Sequence, residues 1–318
     1  MPASFVTLIV LLIAFGLLSC AAAVFGMALL LLRPPRMTDG KATWVLQRIS
    51  PGDLGLAFED IHFIVRDEHD GRRLRLAGWW IPAAQSTDRC VILLHGYADA
   101  KVGAIAWAPV WHALGFNILA LDLRAHGESA GVYCTGGYWE RHDVSQVIDE
   151  FRSERPAETR HLALFGVSMG AAVAAATTAM RTDLSAVILE SPFADFRHAA
   201  VAHMERLGAP GRPFQKLALA LAQKIGACDF GAVRPVETIK EIPCPLMIIA
   251  PDGDTMVTAD DQRAIEQSLR SRERPDADVL WPVQTGHLLA LHAEAEEYER
   301  RLRAFLNAAI HSPSLTIF

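Results

Sequence analysis

Ser168 stands at the centre of the segment GVSMG at positions 166–170, with a glycine two residues away on either side. The segment directly follows an apolar run at 161–165 and directly precedes an Ala-rich stretch of helical pattern. A strand, a sharp turn and a helix in this order form the elbow that exposes a nucleophilic serine, and the glycines leave room where a Cβ atom would collide with backbone. The pattern predicts that Ser168 is a nucleophile.

Downstream of Ser168, a histidine and an aspartate occupy positions from which they could activate it. A serine hydroxyl is a weak nucleophile at neutral pH, so it needs a base that a carboxylate holds in the right tautomer. Asp254 follows the apolar run 246–250, and His287 follows the apolar run 279–283. We therefore predict His287 as the base and Asp254 as the acid that orients it.

Short apolar runs supply the elements that would position these residues. Helical patterns separate most of the runs, so the sequence predicts a mostly parallel central sheet with helices on both faces. An antiparallel hairpin is predicted from the mixed runs at 61–66 and 73–81. Five further runs are nearly continuous in hydrophobic residues, as is typical of strands covered on both faces, and they lie at 90–94, 117–123, 161–165, 186–189 and 246–250.

The segment from about 194 to 242 interrupts this alternation. It is too long for a plain loop, and it holds a Gly/Pro-rich stretch flanked by helical patterns. We interpret it as a short helical cap inserted between two strands. The predicted division of the chain is an anchor with its flank at 1–35, a connector at 36–58, a catalytic domain at 59–309 and a C-terminal tail at 310–318.

Five motifs follow one another along the chain: LHG at 94–96, DLRAHGES at 122–129, GVSMG at 166–170, DTMV at 254–257 and GH at 286–287. Together they resemble the α/β-hydrolase superfamily, and among its members the serine-aminopeptidase-like, BEM46-like membrane-anchored proteins. The resemblance implies the α/β-hydrolase fold over roughly 59–306. It also implies that the backbone N–H groups of Tyr97 and Met169 form an oxyanion hole.

Two other carboxylates compete with Asp254 for the role of the acid. Asp252 lies two residues earlier in the same segment, and Glu190 comes just after the run at 186–189. The family pattern places a hydrophobic residue three positions after the acid, which Val257 supplies for Asp254. The resemblance therefore favours Asp254.

The N-terminal segment predicts a membrane anchor. No charged residue occurs from Met1 to Leu32, and a helix needs about 20 apolar residues to span a bilayer. A cleaved secretory signal has positive residues before its apolar run, and none precedes the run here, so we favour an uncleaved anchor. Arg33 and Arg36 follow the run directly, so the positive-inside rule predicts a single-pass protein with its catalytic domain in the cytoplasm.

Charge and cysteine content narrow the classes of function. The 30 Lys and Arg residues against 36 Asp and Glu residues give a net charge of -6, which argues against nucleic-acid binding. The five cysteines are odd in number and widely spaced, so they indicate neither a disulfide framework nor a metal site. The sequence implies no metal and no organic cofactor. The expected partners are a small-molecule or lipid-like acyl substrate and the membrane.

The predicted reaction is hydrolysis of a carboxylic ester or thioester. An acyl-enzyme would form on Ser168, and water activated by His287 would release it. Two alternatives stay open: an amidase or peptidase of the same fold, and a catalytically silent, membrane-tethered scaffold that retains the fold.

Overall fold

An eight-stranded sheet runs through the computed structural model, which describes residues 3–209, 211–272 and 277–311. The order across the sheet is β1-β2-β4-β3-β5-β6-β7-β8. β2 is antiparallel to both of its neighbours, and every other pair is parallel, which confirms the mostly parallel sheet and the hairpin. The strands are β1 (Glu59–Arg66), β2 (Arg73–Ile81), β3 (Arg89–Leu94), β4 (Asn117–Leu121), β5 (His161–Val167), β6 (Ala186–Glu190), β7 (Leu246–Pro251) and β8 (Val279–Val283).

Helices cover both faces of the sheet, with α5, α6, α9 and α10 on one face and α3, α4 and α12 on the other. The predicted tail at 310–318 lies outside the described residues from 312 onward. The helices are α1 (Ala3–Leu32), α2 (Asp39–Leu46), α3 (Lys101–Ala104), α4 (Ala108–Ala113), α5 (Glu140–Glu154), α6 (Met169–Ala179), α7 (Phe196–Arg206), α8 (Arg212–Gly226), α9 (Pro235–Glu241), α10 (Ala259–Arg270), α11 (Ala290–Ala293) and α12 (Ala295–His311).

The central parallel strands are nearly continuous in hydrophobic residues because both of their faces are buried. In β3, Ile92 and Leu94 pack against the helices of one face, while Val91 and Leu93 pack against those of the other. Side chains alternate across a strand, so a central parallel strand needs apolar residues at every position. This explains why runs without alternation predicted strands.

The cap is shorter than the predicted 194–242. It consists of α7, α8 and the short 3-10 turn Phe230–Ala232, whereas α9 packs against α6 and α10 in the helical layer over the sheet. Ile239 of α9 is fully buried in the core of that layer. Helical periodicity alone does not tell which surface a helix covers.

The C-terminal third of α1 packs onto the cap. The residues from Ser4 to Ala23 are exposed, whereas five apolar side chains between positions 24 and 32 are buried among residues of α7 and α8. We call the buried cluster that these five side chains form together with residues of α7, α8 and the segments beside them the cap cluster. Its α1 members are Val24, Met27, Ala28, Leu31 and Leu32. The segment predicted as anchor therefore contacts the segment predicted as catalytic domain.

The connector is also attached to the domain. The Arg36 guanidinium donates hydrogen bonds to four backbone carbonyls of the loop after β4, those of His126, Gly127, Ser129 and Gly131, at 2.6 to 3.2 Å. Further along the connector, Ala42 of α2 is buried in the core of the second face.

Candidate active site

Ser168 occupies a strained turn between β5 and α6. Its backbone has φ 52° and ψ −116°, a conformation that is costly for a residue with a side chain and that clusters at functional sites. A Cβ atom on Gly166 would lie 2.1 Å from the Gly170 carbonyl oxygen, and one on Gly170 would lie 2.2 Å from the Leu94 carbonyl oxygen. Both glycines are thus required by close backbone approach, as the sequence predicted.

His287 and Asp254 form a hydrogen-bonded pair at the carboxyl ends of β8 and β7. The His287 Nδ1 atom lies 2.6 Å from Asp254 Oδ2, and the Asp254 side chain is fully buried. The other Asp254 oxygen accepts the backbone N–H groups of Met256 and Val257 at 2.7 and 2.9 Å. Burial alone would raise the pKa of Asp254, but the hydrogen bond from His287, its charge and the two N–H groups hold the pKa below its usual value.

The two competing carboxylates have other surroundings. Asp252 is exposed, and it is Asp254 that accepts the hydrogen bond from His287. Glu190 is fully buried and accepts hydrogen bonds from Trp107 Nε1 at 3.0 Å and from the Tyr298 hydroxyl at 2.8 Å. Burial raises the pKa of Glu190 to about 7. Its backbone carbonyl accepts the Ser168 N–H at 2.9 Å, so the end of β6 stabilises the turn at Ser168.

The loop after β3 lies directly beside Ser168. A Cβ atom on Gly96 would lie 3.5 Å from the Ser168 Cβ atom, which places the backbone next to Tyr97 close to Ser168. Met169 is the first residue of α6, and the first N–H groups of a helix have no carbonyl one turn earlier to accept them. Both N–H groups that the resemblance implied as oxyanion donors therefore belong to segments that meet at Ser168.

Two buried histidines hold this loop in place. His95 Nε2 accepts the Leu123 N–H at 3.0 Å, and its Nδ1 lies 2.7 Å from the Gly96 carbonyl oxygen. His126 Nε2 accepts the Ala98 N–H at 3.3 Å. Burial lowers the pKa of both imidazoles, so they are neutral hydrogen-bonding groups.

Ser168, Tyr97, Met169 and His287 line one cavity, whose other walls come from the cap, from α1 and from the segment after Asp254. None of the described side chains that line this cavity is a carboxylate, and most are apolar. The lining residues are Leu31, Tyr97, Ser168, Met169, Phe193, Phe196, Ala199, Ala200, His203, Met256, Val257 and His287.

Sequence reasoning missed the apolar part of this wall. The sequence places Leu31 in the predicted membrane anchor, Phe193 just before the predicted cap, and Phe196 and His203 within it, and it indicates no role in the site for any of them. These residues come from distant segments, and no local pattern marks them. Among the described residues no group of three or more His, Cys, Asp or Glu side chains could hold a metal ion.

The strand order, the elbow at Ser168 and the hydrogen-bonded pair at the ends of β7 and β8 define an α/β-hydrolase fold. A family model described as "Serine aminopeptidase, S33" matches residues 85–227. The fold assigned to this chain is therefore that of the α/β hydrolases.

Relatives and solved structures agree with this assignment. The uncharacterized protein YqkD of Bacillus subtilis is 24% identical over 233 residues, which cover 71% of this chain and 73% of that protein. The lysophosphatidylserine lipase ABHD12 of Mus musculus is 26% identical over 197 residues, which cover 56% of this chain and only 45% of the lipase. The Pyrococcus furiosus esterase Pf2001 superimposes with a TM-score of 0.69 at 23% identity, over 86% of this chain and 98% of the esterase.

Proposed function

We propose that the protein is a serine hydrolase that cleaves a carboxylic ester or thioester with Ser168, His287 and Asp254. The observation that carries the proposal is that a serine in a strained elbow and a histidine paired with a buried carboxylate line the same cavity. The fold alone would not define the chemistry, since many functions share it.

In the proposed mechanism, His287 is the general base. Its Nδ1–H donates to Asp254, which leaves Nε2 as the atom that takes the proton of the Ser168 hydroxyl. The hydroxyl oxygen attacks the acyl carbonyl, and the N–H groups of Tyr97 and Met169 stabilise the oxyanion. His287 then protonates the leaving group, and water activated by the same nitrogen hydrolyses the acyl-enzyme.

The cavity lining favours an apolar acyl substrate over a peptide. An aminopeptidase must bind the positively charged amino terminus of its substrate, and a carboxylate is the usual partner for such a charge. The described lining holds no Asp or Glu side chain, whereas it holds two Phe and two Met residues. The likeness to an esterase and to a lysophosphatidylserine lipase supports an ester of a lipid-like acid.

Membrane attachment through α1 completes the proposal. One helix in the described part of the chain is long and apolar enough to cross a membrane. The positive residues after it, Arg33, Arg36 and Lys41, support a cytoplasmic catalytic domain. Fusing alkaline phosphatase or a fluorescent protein to the C-terminus in a bacterial host tests this orientation. We expect a fluorescent fusion and an inactive phosphatase, and the reverse result would contradict the cytoplasmic placement.

A serine exchange tests the chemistry. We expect Ser168→Ala to abolish cleavage of p-nitrophenyl esters without loss of folding, because one hydroxyl is removed at a turn built for a small side chain. Ser191→Ala is the matched control, since Ser191 also has a positive φ of 53° but its buried side chain lies outside the cavity wall. A wild-type protein that folds but cleaves no ester and reacts with no fluorophosphonate would support the silent scaffold instead.

A further inference from the structure

The apolar helix α1 is longer than a bilayer requires. It has 30 residues, which at about 1.5 Å per residue give a helix of about 45 Å, while the hydrocarbon core measures about 30 Å and needs about 20 residues. The exposed part of α1, from Ser4 to Ala23, supplies those residues. The excess begins at Val24, which is also where burial against the cap begins.

The buried part of α1 presents one face to the cap. Val24, Met27, Ala28 and Leu31 recur at the spacing of neighbours on one side of a helix. This face packs along α8, and the two helices end together, since a Cβ atom on Gly226 would lie 2.9 Å from the Leu32 side chain. The cap is therefore built on the last turns of the membrane helix.

The end of α1 also contacts the loop beside the nucleophile. The last carbonyls of a helix have no partner within it, and here the Leu30 carbonyl accepts a hydrogen bond from the Tyr97 hydroxyl. The Leu32 carbonyl accepts the Cys134 N–H at 2.7 Å. Burial raises the pKa of the Tyr97 phenol, which is thus a neutral donor. The Tyr97 ring contacts the His203 ring of α7 at 5.3 Å between centroids.

A second connection runs through Arg36. Its guanidinium holds the loop that contains His126, and His126 in turn accepts the N–H of Ala98, the residue after Tyr97. The Tyr97 hydroxyl is thus bound to the Leu30 carbonyl of α1, and the backbone after Tyr97 is bound to His126, whose loop Arg36 holds just beyond α1. Leu31, one residue beyond the Leu30 carbonyl, lines the cavity together with Ser168 and His287.

We propose that the last turns of the membrane helix, from Val24 to Leu32, form part of the active site. Leu31 closes the acyl-binding cavity, and the Leu30 carbonyl positions Tyr97 through its hydroxyl. The substrate class that fits this arrangement is a long-chain acyl ester resident in the bilayer, because the cavity wall is continuous with the helix that leaves the membrane. This inference rests on the proposed hydrolase function and assigns its substrate.

Chain-length preference tests the role of Leu31. Full-length protein in phosphatidylcholine nanodiscs is assayed with p-nitrophenyl butyrate and p-nitrophenyl dodecanoate. We expect Leu31→Ala to lower kcat/KM for the dodecanoate about tenfold, as lost methylene contacts do, with little change for the butyrate. Leu18→Ala is the matched control, because the Leu18 side chain is 72% exposed on the same helix and lies outside the last turns proposed as cavity wall. Equal profiles for wild type and Leu31→Ala would overturn the assignment of the cavity wall.

Turnover tests the role of the Tyr97 hydroxyl. Tyr97→Phe keeps the ring and the backbone N–H but loses the hydrogen bond to Leu30, so we expect kcat to fall about tenfold or more for both esters at unchanged KM. Tyr133→Phe is the control, since the Tyr133 hydroxyl accepts a hydrogen bond from Arg33 near the same helix end, outside the cavity wall. An unchanged kcat in Tyr97→Phe would overturn the positioning role.

Ser168→Ala in the same nanodiscs separates the two proposals. If Ser168→Ala retains activity, the proposed function fails and the inference fails with it. If Ser168→Ala is inactive while Leu31→Ala and Tyr97→Phe both behave as wild type, the hydrolase function stands and only the contribution of α1 is refuted.

Discussion

The turn at Ser168 and the cap cluster both contribute to the wall of one cavity, and they are built in different ways. The turn is held by backbone contacts between consecutive elements, in which Gly166 and Gly170 leave no space for a side chain. The cap cluster is held by side chains from α1, α7 and α8, which come from distant parts of the sequence. The proposed reaction at Ser168 therefore depends on local backbone geometry, whereas the shape of the cavity depends on packing between distant segments.

The largest effect on turnover is expected for the carboxylate that pairs with His287. Asp254→Asn should lower kcat by about 10⁴-fold, because an amide cannot hold His287 in the tautomer that accepts the serine proton. Asp252→Asn should leave kcat near the wild-type value, since Asp252 is exposed and Asp254 makes the hydrogen bond. Steady-state kinetics of both variants decides between them, and the opposite ranking would move the acid to Asp252.

A cap variant should affect stability more than chemistry. Phe196 lies in the cap cluster, where its ring centroid is 4.7 Å from that of Phe230 and 5.9 Å from that of Phe193. Phe196→Ala should lower the free energy of unfolding by about 3 to 4 kcal/mol. In folded protein, Ser168 should still react with a small fluorophosphonate at nearly the wild-type rate. A loss of labelling in folded Phe196→Ala would show that the turn and the cap cluster are not separable.

Glu190, beneath the turn, should make stability depend on pH. Its folded pKa of about 7 lies above the ordinary value of 4.5, so the folded state keeps a proton that the unfolded state releases. This contribution is fully present below about pH 4.5 and is lost as pH rises through 7, by about 3 kcal/mol in total. Burial also raises the pKa values of Asp99 and Asp143 to about 6, so Glu190→Gln should remove the decline that remains above about pH 6, as followed by thermal unfolding between pH 6 and 8. The exposed Glu205→Gln should retain it, and a decline that persists in Glu190→Gln would assign it to another group.

The parts that sequence predicted are those governed by local rules. Continuous apolar runs predicted the buried strands, and the glycines around Ser168 predicted the turn. The choice of Asp254 over Asp252 depends on the apolar residue Val257, whose side chain is buried in the cap cluster. The remaining parts depend on tertiary contacts. Neither the burial of Leu31 beside Ser168 nor the placement of α9 over the sheet leaves a mark in local periodicity.

Locating the reactive residue directly tests the central claim, which is that the elbow and the His287–Asp254 pair form a working serine hydrolase site. Full-length protein in nanodiscs is treated with a fluorophosphonate, digested, and analysed by peptide mass spectrometry, alongside His287→Ala. We expect one adduct, on Ser168, that forms at least about a thousandfold more slowly in His287→Ala. An adduct on another serine, no adduct on folded protein, or equal rates in the two proteins would contradict the account.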